Sequence, residues 1–313
     1  MRKGKLSWLL VLIVFLTLLI FTTCTKNQVK SVKGLKVGYS VQDLSNPYFQ
    51  ILSNGMKDRS RELGINLTIV NAGMNPEKQA EDLFAMVEAE YDIIICSPVQ
   101  PQSCIPPLYA ANTAGIPFIN PNQTIPGSDA HINLDDYEFG KLGGMIAGRW
   151  IDEHFSAPVK ALIIGYDQMI ELSRRAEGIK DGILMTVPET QIVDTISALT
   201  PLSGMVETEK VLDYCEDLMV IAAVNDAAAL GAMAAVLSRE NIHPDFCIVG
   251  LDATSESLEL IQQENSIFRG TVDINPYETG IISMNTAVEV YRDGPIKEVI
   301  PIPMKAIYWD DFE

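Results

Sequence analysis

From Leu35 onward, short apolar runs alternate with longer amphipathic stretches, and that alternation constrains the fold more than any other feature of the chain. Strands are expected at Leu35–Ser40 and near Leu67–Val70, Asp92–Cys96, Ala161–Gly165, Ile192–Ile196, Met219–Ala223 and Ile248–Leu251. These runs lack regular polar alternation, so a sheet built from them must be covered on both faces. The covers lie between them. Pro47–Leu63 has Asn46 as N-cap, Pro47 at the first helical position and Gly64 at its end, and Ala227–Glu240 and Ser255–Asn265 read as helices with similar caps. Such alternation builds α/β folds with doubly wound parallel sheets, whose ligands bind where the strands run out into loops. Lys36-Val37-Gly38-Tyr39-Ser40 and Leu162-Ile163-Ile164-Gly165-Tyr166 each open such a series, which points to two lobes facing one another. A length of 313 residues is enough for both.

The first residues separate from this folded part. Arg2, Lys3 and Lys5 precede an apolar run from Trp8 to Phe21 broken only by Thr17, the basic and hydrophobic regions of an export signal. Cys24 follows, and a cysteine in that place resembles the lipobox of bacterial lipoproteins, which implies a lipidated mature N-terminus; Thr23 stands where glycine, alanine or serine is usual. The alternative is an uncleaved transmembrane anchor, since the run is only slightly short of the roughly 18 residues that span a bilayer. Either reading puts the folded part outside the cytoplasm and holds it to the membrane. Residues 1–24 are thus signal and anchor, and residues 25–34 a polar, basic tether. Cys96, Cys104, Cys215 and Cys247 form no C-x-x-C pair; Cys96 and Cys247 sit in apolar strands and read as buried thiols. Export permits a disulfide without requiring one.

Acidic residues outnumber basic ones 41 to 23 and give a formal net charge of -18, which argues against nucleic acid as a partner. The chain contains no P-loop, dinucleotide fingerprint, nucleophile elbow or H-E-x-x-H motif. Gly140, Gly143, Gly144 and Gly148 fall inside a helical pattern and suit close helix packing. The three histidines, His131, His154 and His243, share no spacing, and no carboxylate pair stands out, so no catalytic residue, metal site or cofactor is nominated.

Beyond the first strand the loop runs through Asn46, Tyr48 and Phe49. A sugar offers C–H faces to aromatic rings and hydroxyls to amides and carboxylates, so this segment suits one. Asn46 also caps the helix, and two adjacent aromatics are not expected to face the same core. Several segments together resemble the ribose-type periplasmic sugar-binding proteins, in order and spacing across nearly all of the chain after Leu35. They are Ser45-Asn46-Pro47-Tyr48-Phe49, Arg175-Ala176-Glu177-Gly178, Asn225-Asp226 after the strand Met219–Ala223, Val249-Gly250-Leu251-Asp252, and Thr271-Val272 leading to Asn275-Pro276-Tyr277 with Gly280.

The resemblance implies two Rossmann-like doubly wound lobes joined by three crossings, the type I periplasmic-binding-protein fold, with hinge closure on a ligand in the cleft. The first lobe would hold residues 35–134 plus 275–303, the second 135–274 plus 304–313. The resemblance also implies ligand contacts from Asn46, Tyr48 and Phe49 on the first lobe and from Asn225 and Asp252 on the second. Read alone, Asn225 is equally a helix cap and Asp252 a cap or loop acid. Arg175 belongs to the same pattern. The departures matter as well: Asn122-Gln123 stand where the family presents an Asp-Arg pair, Ser173 where a ligand-contacting arginine is common, and Ile274 where a glutamine is usual, with Asp273 beside it as a substitute grip. Amides in place of charged forks imply a solute other than ribose.

The expectation is a monomeric, non-enzymatic receptor that delivers a sugar or polyol-like solute to a membrane ABC permease. A sensory protein docking on a membrane histidine kinase or chemoreceptor would present the same cleft. A LacI-type regulator shares the core but carries a basic helix-turn-helix where this chain has its apolar segment. An enzyme on this fold would need a nucleophile or base that the sequence does not nominate.

Overall fold

The computed structural model describes residues 30–312; the export segment, Cys24 and residues 25–29 of the tether lie outside the described residues. Two six-stranded sheets carry the fold. In the first, β1 (Lys36–Val41) pairs in parallel with β2 (Asn66–Asn71) on one side and β3 (Ile93–Cys96) on the other. Next come β4 (Phe118–Pro121), β5 (Ala130–Asn133) and β11 (Ile300–Pro301). The second sheet repeats this order. There β6 (Lys160–Gly165) lies between β7 (Gln191–Ser197) and β8 (Leu218–Ala223), followed by β9 (Cys247–Val249), β10 (Phe268–Asp273) and β12 (Lys305–Tyr308), the last antiparallel to β10. The likeness read between β1 and β6 is therefore one of position, each strand opening its half second from an edge.

Alternation along the central strands decides the layering. Val37, Tyr39, Val41, Ile93 and Ile95 face a core closed by α1 (Pro47–Leu63) and α9 (Pro276–Asp293). Ile94 and Cys96 face the opposite one, closed by α2 (Pro76–Glu88) and α3 (Pro101–Ala114). In the second sheet Ala161, Ile163, Val220 and Ala222 meet α4 (Asp136–His154) and α5 (Ile170–Thr186). Leu162, Ile164, Ile221 and Ala223 meet α6 (Pro201–Tyr214), α7 (Asp226–Leu237) and α8 (Ser255–Ile261). Each fully buried isoleucine contributes roughly 1.5–3 kcal/mol.

The edges depart from the sequence reading. β2 and β7 are part-exposed along their length, because an edge strand has solvent on its open side, so Leu67–Val70 and Ile192–Ile196 are not fully enclosed. β4, β5 and β12, four residues each, are interrupted by polar positions such as Asn120, His131 and Lys305 and do not show as apolar runs. α1 has the predicted bounds: the Asn46 side chain accepts from the Tyr48 N–H at 2.9 Å, and Gly64 ends the helix in the left-handed region at φ 68°. α7 stops at Leu237, short of Glu240. α8 stops at Ile261, short of Asn265, because the chain must turn toward β10, a turn in which the Ser266 hydroxyl accepts from the Phe268 N–H at 3.0 Å.

Between β5 and α4, between β10 and α9, and between β11 and β12 the chain passes from one sheet to the other. α4 then packs on β8, β9 and β10, and α9 on α1, β3 and β4. The glycines of α4 do serve close packing: a Cβ on Gly140 would overlap the carbonyl oxygen of Arg175 on α5, and from the α5 side one on Gly178 would overlap that of Tyr137. Cys96, Cys104, Cys215 and Cys247 are buried free thiols. Among the described residues no helix is long and apolar enough to cross a membrane.

Candidate functional site

The carboxyl edges of the two sheets hold the polar side chains of interest. On the first, Asn122 follows β4 with φ 77°, a left-handed conformation that asparagine tolerates better than most residues, and its N–H donates to the Ile132 carbonyl at 2.8 Å. Its side-chain amide donates to the Tyr48 hydroxyl and accepts from the Ser97 hydroxyl at 3.4 Å. Ser97 in turn meets the Tyr39 hydroxyl at 2.9 Å. Burial chiefly pushes the Tyr48 hydroxyl up to about 12, so it stays protonated at neutral pH. Asn46 is exposed, with its side-chain oxygen engaged in the cap. Phe49 is only 7% exposed and packs in the core, its ring edge-on to that of Tyr48 at 5.2 Å. Both rings therefore rest on one core, which corrects the expectation that adjacent aromatics part. Consecutive helical positions differ by about 100°, and a broad cluster accommodates both.

On the second lobe, the close crossing of α4 and α5 sets Arg175 over Asp136, with Nε donating to Oδ1 at 2.6 Å. The Arg175 side chain is 17% exposed, and its guanidinium lies 5.0 Å from the Phe139 ring centre and donates through Nη1 to the Val224 carbonyl at 3.4 Å. The same Nη1 is 4.0 Å from Oδ1 of Asp252. Asp252 and Ala253 hold φ of 113° and 51°, so the loop after β9 is strained. The Asp252 side chain keeps 41% of its surface exposed while protein surrounds it. Desolvation and the nearby Asp226 push its carboxyl up to about 7, against the pull of Arg175.

Asp226 holds that loop in place. It is fully buried, and Oδ2 accepts from the Thr254 N–H at 2.8 Å, the Thr254 hydroxyl at 3.0 Å and the Ser257 hydroxyl at 2.7 Å, while Oδ1 accepts from Thr271 at 2.9 Å. Burial outweighs these bonds and raises its carboxyl above the ordinary value. Asn225 caps α7, accepting from the Ala228 N–H at 2.9 Å, and donates to the Leu199 carbonyl at 3.0 Å, so both ends of its amide have structural partners. Asp273 accepts from the Asn275 N–H at 2.7 Å, and Ser173 is exposed on α5.

Between the two edges lies a cavity of about 660 Å³, within the ordinary range for small-molecule sites. Asn122 and Gln123 line it from the first lobe, Asp136 and Arg175 from the second, and Leu134, Ile274 and Ile302 at the crossings. Of the residues nominated from sequence, Asn122, Gln123 and Arg175 come together here. Tyr48 is bonded to Asn122, and Asp252 adjoins Arg175. Asn46, Tyr48, Phe49, Ser173, Asn225, Asp252 and Asp273 are not among the lining residues. Sequence reasoning missed Asp136 and Asp226; the one available signal was that Asp226 directly follows the nominated Asn225. Among the described residues no cluster of three or more His, Cys, Asp or Glu is arranged to hold a metal.

Residues 37–294 match the family described as "Periplasmic binding protein domain". The ribose import binding protein of Bacillus subtilis is 23% identical over 277 residues, spanning 87% of this chain and 87% of that protein. Among solved structures, the periplasmic ribose ABC transporter from Conexibacter woesei matches with a TM-score of 0.77 at 22% identity, covering 90% of this chain and 94% of that one. The Caulobacter myo-inositol binding protein bound to myo-inositol matches with a TM-score of 0.60 at 23% identity, covering 88% and 93%. At these identities the structural matches establish the two-lobed α/β fold.

Proposed function

This chain belongs to the periplasmic binding protein domain family, with the type I two-lobed fold, and we propose that it is an extracytoplasmic receptor for a sugar or sugar-like polyol. The observation that carries this reading is the cavity itself, which faces amides of one lobe with a guanidinium–carboxylate pair of the other. A solute touching both edges favours the closed arrangement, because only there does it make both sets of contacts. The relatives named for ribose and myo-inositol support a small polyhydroxylated solute.

In this reading residues 35–134 with 275–303 move against residues 135–274 with 304–313, and the crossings are the hinge. Asn122 and Gln123 bond solute hydroxyls from the first lobe, with Tyr48 orienting Asn122. Asp252 takes two adjacent hydroxyls through charge-assisted bonds, and Arg175 donates beside it. Asn225 and Asp226 hold the second-lobe edge in shape. The solute is released unchanged to a membrane ABC importer, and Cys24 anchors the receptor at the membrane.

A thermal-shift screen of the full chain in mild detergent against pentoses, hexoses and polyols tests the reading. One strong stabiliser is expected, adding about 2.7 kcal/mol at a concentration 100 times its Kd. Chemical conversion of that solute, or no shift with any member of the panel, overturns it.

A further inference from the structure

Each of the three crossings gives the cavity an apolar residue, Leu134 from the first, Ile274 from the second and Ile302 from the third, with Asn133 and Asp136 lining it beside Leu134. Leu134 and Ile274 each pack against the cores of both lobes, so neither can turn away without loosening both. Ile302 keeps only 3% of its surface exposed. Met169 and Leu172 extend this wall from the second lobe.

Polar groups near the wall are engaged or sealed off: Asn133 Oδ1, beside Leu134, has no partner among the described residues but is buried from solvent. The Ile302 N–H donates to the Asn133 carbonyl at 2.9 Å, the Asn275 N–H to Asp273 at 2.7 Å, and the Thr279 hydroxyl to the Ile274 carbonyl at 3.4 Å. A hydroxyl seated here gives up its hydrogen bonds to water and gains none. Asn122, Gln123 and Arg175 line the same cavity, together with Asp136 and Glu171.

We infer that the solute is a deoxy sugar, seated with its methyl group against Leu134, Ile274 and Ile302 and its hydroxyls toward Asn122, Gln123 and Arg175. This deepens the receptor reading and rests on it. The wall is also the hinge, so lobe closure over the solute brings the methyl group against the crossings.

The test is calorimetric titration of the full chain in mild detergent with matched sugars: L-fucose against L-galactose, L-rhamnose against L-mannose, and D-quinovose against D-glucose. In the pair that binds, the deoxy member is expected to bind at least about tenfold tighter, the discrimination an apolar site exerts on one added hydroxyl. Ile274→Gln should narrow or reverse that preference, and Ile274→Val should keep it. Should Ile274→Gln not fold, the wild-type pairs decide. Equal or tighter binding of the hydroxylated parents, or a preference unchanged in Ile274→Gln, overturns the inference and leaves the receptor reading standing. No binding by any of these sugars or by the wider panel overturns both.

Discussion

Solute binding should weaken as the medium turns acidic, through Asp252. Its carboxyl is pushed up to about 7 by desolvation and by Asp226, with Arg175 opposing. Solute hydroxyls donate to the carboxylate, so binding below that value must first remove a proton. For a single titration the competent fraction is about 0.9 at pH 8 and about 0.1 at pH 6, a roughly tenfold fall in apparent affinity, or about 1.4 kcal/mol. The sign for the unliganded protein is opposite. A carboxyl raised from 3.8 to about 7 in the folded state keeps its proton where the unfolded chain has lost it, so its contribution to stability declines as pH rises through that window. With 41% of the side chain exposed, solvent screens much of that cost. Asp252→Asn keeps the shape and removes the titration, so its affinity should be lower than wild type at pH 8 and flat from pH 6 to 8. Isothermal titration at pH 6, 7 and 8, with the best stabiliser from the thermal-shift panel, measures both proteins. A flat wild-type profile, or an Asp252→Asn profile equally steep, refutes the assignment.

Asp226→Ala leaves the hydroxyls of Thr254, Ser257 and Thr271 without their shared acceptor, and urea unfolding should show a loss of about 3 kcal/mol or more; a loss under about 1 kcal/mol would mean that this carboxylate does not hold the loop. Gly178→Ala gains up to about 1 kcal/mol of helix propensity but drives a Cβ into the Tyr137 carbonyl oxygen, an overpacking that costs about 1–3 kcal/mol. Calorimetric melting should therefore show a lower Tm, and an unchanged or higher one counts against close α4–α5 contact. Cys24→Ala should move the protein from the membrane fraction to the soluble fraction on cell fractionation. Full retention in the membrane favours an uncleaved anchor over lipid.

Local features are legible in the sequence where local physics sets them. α1 is readable to the residue because Asn46, Pro47 and Gly64 write both of its ends within the segment itself. Buried central strands such as β3 and β6 are readable because every residue must suit a covered sheet. β2 and β7 carry the same apolar signal, yet they lie at edges, and no run of residues reports whether a second neighbour pairs with it. Within the site, Asn122, Gln123 and Arg175 stand out by comparison with a known pattern. Asp136 and Asp226 do not, since acids are common in the first turn of any helix.

The amino-acid order by itself therefore determined the strand–helix alternation and the two parallel series, because period, caps and composition act over a few residues. Only the tertiary structure decided which polar groups remain for a ligand. Asn225 is held by its cap and Leu199, and Phe49 by its core, while Asp226 is buried under Thr254, Ser257 and Thr271. It alone brought Leu134, Ile274 and Ile302 into one apolar wall, since these residues meet where three distant crossings converge and no local pattern records that meeting.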